Sequence, residues 1–195
     1  MKKNGTLSKQ FFFAAILLTG LLGSHYSYGQ SKTDDADDND QPTQTPKPEP
    51  VKYPKVVGYL SFIIPVVTMD KNSTTTNFTT ATSIGFPVGV NILYSDRFGF
   101  SYEFTPTIKS QNSTSKTSNL LFDPGPMFRF DHGFTFIPRL AFETSGRYGV
   151  TPVFNQIIKR TKFVNYFVAA SLPVRFGNQE AASIGGNIQF GFIFN

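Results

Sequence analysis

Between Val56 and Phe194 apolar and polar residues alternate with a period of two, and this alternation restricts the chain to β-structure. Successive side chains of a strand point to opposite faces, whereas an amphipathic helix repeats near 3.6 residues. Even positions carry Ile84, Phe86, Val88, Val90 and Ile92, then Phe98, Phe100, Tyr102 and Phe104, and continue through Phe128, Phe136, Phe142, Val168, Phe176 and Phe190. Odd positions carry Gly, Ser, Asn and Thr together with the charges.

Seven strand-like segments are delimited by turn residues: 56–68, 82–94, 98–109, 120–130, 134–144, 164–176 and 182–194. All seven of their charged residues, Glu103, Lys109, Asp123, Arg129, Arg139, Glu143 and Arg175, are odd-numbered. If charge ignored face, that would happen on the order of once in two hundred. Of the sixteen Phe in these segments only Phe167 is odd.

Two architectures bury such a pattern. In a soluble lipocalin-like barrel or a sandwich the apolar face turns inward and the polar face meets water. In a transmembrane barrel the apolar face meets lipid and the polar face lines the lumen. Here the polar face is poor in charge and rich in Gly and Ser, which suits a narrow, filled lumen. Its charges nearly balance, so Glu103, Asp123, Arg129, Arg139, Glu143 and Arg175 are expected to form a lumen polar network of ion pairs with a structural role. The fold predicted is therefore all-β, an antiparallel up-and-down transmembrane barrel of about eight strands.

The eighth strand must come from 147–162. Val150 to Ile158 reads as a weak strand, although Thr151-Pro152 also reads as the cap and first turn of a short helix. The prolines at 65, 87, 106, 124, 126, 138 and 173 oppose a closed barrel, since proline cannot donate to a ladder and a barrel has no edge to hide it. Bulges and strand ends are the expected places for them. Ser95-Asp96-Arg97 and Asp131-His132-Gly133 read as tight turns, and 69–81 and 110–119 as long polar loops.

The N-terminal segment is of another kind. Lys2, Lys3 and Lys9 precede an apolar run from Phe11 to Leu22, with small residues at Ser27 and Gly29, which is the pattern of a secretory signal peptide spanning 1–29. The run is too short to span a bilayer, which takes about 20 residues. Removing those lysines leaves a formal charge of +2 from 15 basic and 13 acidic residues, so nucleic acid is a poor partner. Residues 30–54 hold five Asp between Asp34 and Asp40 and then Pro42, Pro46, Pro48, Pro50 and Pro54, and read as a disordered tether leading to a barrel over 55–195.

The signal peptide, the acidic and Pro-rich tether, the Phe-dominated alternation, the run Ser171-Leu172-Pro173-Val174-Arg175-Phe176-Gly177 and the aromatic last strand together resemble the small outer-membrane β-barrel proteins of Bacteroidota described as PorT-like or OmpX-like. The resemblance lies in pattern over about 56–195. It implies an eight-stranded barrel in the bacterial outer membrane, with the tether in the periplasm, the long loops outside, and insertion by the outer-membrane assembly machinery. Ser183, Gly185, Ile188, Phe190, Phe192 and Phe194 match the insertion signal of such barrels. The partners implied are outer-membrane lipid and lipopolysaccharide and a surface or secretion-system protein.

Catalysis has little to stand on. His25 belongs to the leader, and His132 lies in a tight turn away from any hydroxyl that it could activate. With no Cys and no His pair, neither a metal site nor a cofactor is expected. The reading is a non-enzymatic barrel with an envelope-structural, surface-contact or secretion-assembly role. The alternatives are a soluble lipocalin-like carrier of an apolar ligand and a barrel enzyme acting on lipid or protein.

Overall fold

In a computed structural model of the chain, residues 51–79 and 81–194 are described. The signal peptide and nearly all of the tether expected from the sequence lie outside them. The strands are β1 (Lys55–Asp70), β2 (Thr74–Thr76), β3 (Thr82–Gly85), β4 (Val88–Leu93), β5 (Phe98–Gln111), β6 (Thr114–Phe122), β7 (Gly125–Arg129), β8 (Phe134–Glu143), β9 (Arg147–Arg160), β10 (Val164–Ser171), β11 (Val174–Gly177) and β12 (Ser183–Phe194). Every pairing is antiparallel. The order β1, β3/β4, β5, β6/β7, β8, β9, β10/β11, β12 returns to β1 through Tyr59↔Ile193 to Asp70↔Ser183, so the sheet closes on itself as eight staves.

Three staves are interrupted, each beside a proline: Phe86-Pro87, Asp123-Pro124 and Leu172-Pro173. The interruption costs little. The residue before each proline still donates across the gap, Phe86 N–H to Pro106 O (3.0 Å), Asp123 N–H to Glu103 O (3.0 Å) and Leu172 N–H to Pro152 O (3.0 Å). The proline carbonyls accept in turn from Ser61 (2.9 Å), Leu140 (2.9 Å) and Gly185 (2.8 Å). Pro65 lies at the bulge that separates Pro65↔Asn187 from Val67↔Gly186. The ladder thus absorbs these four prolines as one bulge and three two-residue gaps.

The segment 147–162 is a strand, not a helix: β9 pairs with β8 from Phe134↔Gln156 to Phe142↔Tyr148. Its Pro152 stands opposite Pro138, so neither lacks a donor that the other could have received.

The polar segment 110–119 is not a loop. β5 and β6 continue through it and meet at Asn112-Ser113, both with positive φ (51° and 59°), as a two-residue hairpin turn requires. Both faces of β6 are exposed from Thr114 to Ser118, so this polar ribbon stands beyond the apolar band. Within 69–81, β1 runs to Asp70 and β2 folds back onto Val67–Met69. The two ends of the barrel therefore differ more in strand overhang than in loop length.

Every buried residue of the barrel carries an odd number, from Val57, Tyr59 and Ser61 through Glu103, Asp123 and Arg139 to Gln189. Every exposed large apolar residue within the strands carries an even one, among them Leu60, Val90, Phe104, Phe142, Phe154 and Phe190. The polarity of the molecule is inverted: hydrocarbon outside, charge inside. Phe167, the odd exception, is in the lumen at 2% exposure, edge-on to Tyr59 with ring centroids 6.3 Å apart.

Candidate functional site

The lumen is sealed at mid-height by a charged cluster. Arg139 on β8 places Nη1 2.6 Å from Glu103 Oε2 on β5 and 3.6 Å from Asp123 Oδ2, while its Nη2 donates to Tyr59 Oη (2.9 Å) and Ser101 Oγ (3.1 Å). Tyr59 donates to Glu103 Oε2 (2.7 Å), and Thr105 Oγ1 to Glu103 Oε1 (3.1 Å). The three charged side chains are at most 4% exposed. Two carboxylates share one guanidinium, and Asp123 Oδ1 has no hydrogen-bond partner among the described residues. Such a triad depends on its geometry, because each buried ion must recover its lost hydration from its neighbours.

The strand pattern delivers these groups together because β1, β5, the β6/β7 stave and β8 present odd positions to the same narrow space. Tyr59 fits there only because Gly89 lies beside it: a Cβ at Gly89 would sit 2.2 Å from Tyr59 Cζ. Gly89→Ala is therefore expected to push the phenol out of the triad and lower unfolding stability by about 1–3 kcal/mol, measured by urea unfolding of the barrel in lipid vesicles.

A second cluster lies toward the end opposite the short turns. Arg175 Nε is 2.8 Å from Glu143 Oε1, and Ser145 Oγ donates to Glu143 Oε2 (2.9 Å). Arg147 pairs with Glu180 (3.1 Å) and donates to Ala181 O (3.0 Å) and Ser183 Oγ (3.0 Å). Glu143, Arg147, Arg175 and Ser183, together with Lys109, Thr107, Asn119 and Asn187, line a cup of about 410 Å³ on that side of the seal. On the other side a smaller cavity of about 110 Å³ is lined by Lys55, Asn91, Met127, Arg129 and Asn155, among others.

Of the six charged residues singled out from the sequence, Glu103, Asp123 and Arg139 make the seal and Glu143 and Arg175 pair next to it, with Arg175 also within electrostatic reach of Asp123. Arg129 lies near the short turns. Tyr59 and Ser101, which complete the seal, were not among them. Tyr59 was detectable as an aromatic on the polar parity. Arg147 keeps the odd parity too but falls in the segment with the weakest alternation.

Of the insertion-signal residues on β12, Ser183 and Gly185 lie on the lumen parity, and Ile188, Phe190, Phe192 and Phe194 on the outward one. His132 is an exposed turn residue with φ 60°, and its carbonyl accepts from Gln156 Nε2 (2.9 Å). Beyond the short turns, Tyr53 donates to Asp96, and that bond to a carboxylate raises the phenol's pKa above its usual 10.

An outward band of aromatic and aliphatic side chains around a hydrogen-bonded charged interior is the construction of a membrane-spanning β-barrel. No protein-family model matches the chain, and no curated protein sequence does. Two solved structures are similar to it at low identity. One is the de novo designed TMB2.3, solved by NMR, with a TM-score of 0.37 and 13% identity over 71% of this chain and 94% of that one. The other is the outer membrane protein OprG from Pseudomonas aeruginosa, with a TM-score of 0.31 and 8% identity over 71% of this chain and 93% of that one.

Proposed function

We propose that this protein is a non-enzymatic integral outer-membrane barrel of the small PorT-like or OmpX-like kind found in Bacteroidota, which holds a polar cup and ribbon at the cell surface for contact with a surface or secretion-system partner. The observation that carries this reading is the inverted polarity: Glu103, Asp123 and Arg139 are buried while the phenylalanines face out. A water-soluble carrier needs the opposite arrangement.

Three further observations support the details. The first strand begins and the last strand ends at the side of the short turns, where a periplasmic tether would join. Lys109 and Lys116 stand directly opposite each other on the β5–β6 ribbon with no acidic partner among the described residues, a placement that favours an anionic surface such as lipopolysaccharide. The outward parity of Ile188, Phe190, Phe192 and Phe194 suits recognition by the assembly machinery. A non-catalytic role accords with a lumen whose charges are engaged with one another rather than poised on a nucleophile.

Membrane fractionation tests the reading. The mature protein is expected in the outer-membrane fraction, extractable only with detergent, and its folded form should migrate differently from the boiled form on a gel. Recovery in the soluble fraction without detergent would overturn it.

A further inference from the structure

The cations of the short-turn end are distributed unevenly. Its acids, Asp96 and Asp131, sit on the two turns between β4 and β8, where Tyr53 and Arg97 engage them. The opposite sector runs from β9 through β10 and β12 to β1. There Lys159, Arg160, Lys162, Lys52 and Lys55 are all exposed, and none pairs with an acidic side chain among the described residues. Of these, Lys55 and Arg160 lie on the lumen side, Lys55 lining the small cavity and Arg160 standing opposite Asn165, which lines it too.

A bulge directs Lys159 at the membrane. The β9–β10 ladder pairs Phe167 with Ile157 and then Tyr166 with Lys159, leaving Ile158 unpaired. Residues opposite each other on a ladder share a face. Lys159 therefore leaves the lumen side that its odd number would give it and joins Tyr166 on the outward side, where the Tyr166 ring packs against Phe192 at 5.4 Å. Three residues on, Lys162 Nζ lies 5.3 Å from the centroid of Phe163, an aromatic ring that is 71% exposed. Lysines beside outward aromatic rings at the end of an apolar band occupy the level of lipid headgroups.

We propose that this sector is a binding site for anionic phospholipid. The headgroup phosphate sits between Lys159 and Lys162, and the acyl chains lie along Tyr166, Phe192 and Phe194. A lipid fits better than an acidic protein because the bulge turns Lys159 sideways into the band rather than down into water. The inference rests on the barrel's being embedded in a bilayer and adds to that a site and a ligand class.

Native mass spectrometry of the full mature protein, offered equal phosphatidylglycerol and phosphatidylcholine, tests it. Phosphatidylglycerol should be retained at least fivefold more, the preference should weaken with salt, and Lys159→Gln and Lys162→Gln should each reduce it, falling to near parity together. Lys109→Gln with Lys116→Gln, at the other end, should leave it unchanged. Equal retention of the two lipids, or an undiminished preference in both variants, overturns the site. Abolition of the preference by millimolar inorganic phosphate would also overturn it, by showing an anion site rather than a lipid site. The gel shift between folded and boiled forms, read on the same samples, keeps the two ideas separable. A normal shift without lipid preference defeats only the lipid site, and an absent shift defeats the barrel reading itself.

Discussion

Arg139→Leu is expected to lower the unfolding free energy of the barrel by about 3–5 kcal/mol, measured by urea unfolding in lipid vesicles. The loss comes from what remains. Glu103 and Asp123 would stay buried without the guanidinium that now lies 2.6 Å and 3.6 Å from them, and Tyr59 and Ser101 would lose a donor. Arg139→Lys keeps the charge but not the planar fork that reaches several acceptors at once, so an intermediate loss is expected. Combining Arg139→Leu with Glu103→Gln and Asp123→Asn should restore much of the deficit, because the uncompensated charge is then gone. A loss below 1 kcal/mol for the single change would mean that the cluster is hydrated and does not seal the lumen.

Leu60→Arg carries the second large effect, about 2–4 kcal/mol in the same assay. Leu60 is an outward, 45% exposed residue on β1, paired with Phe192 on one side and Val88 on the other. A guanidinium there would enter hydrocarbon. Val56→Arg, on the same face but near the short turns, should cost only about 0–1 kcal/mol, since the side chain can reach the headgroups. The contrast separates a membrane barrel from a soluble one: on a surface bathed in water both substitutions would be nearly neutral and equal.

The sequence contains the inside and the outside of this barrel almost completely, because a strand encodes face in parity and parity survives across its tight turns. It does not contain height. Glu143 and Glu103 carry the same parity, yet one pairs with Arg175 in the cup and the other with Arg139 in the seal. That separation follows from strand stagger, a property of the closed ladder that no single segment carries. Bulges hide in the same way: odd-numbered Lys159 stands opposite outward Tyr166 because Ile158 drops out of register. The ribbon at 110–119 reads as a loop because neither of its faces is apolar, so the alternation that marks a half-buried strand disappears where both faces meet water.

Seven of the eight staves carry a proline, and β12 alone has none. Before insertion a chain with this many aromatic, alternating stretches is prone to stack with its own copies as cross-β aggregates, and a residue that cannot donate breaks the run of bonds on which such stacking depends. The proline positions that make the ladder irregular in the finished protein thus protect it while it is unfolded and in transit, and the one stave without that protection, β12, is the last to be synthesised.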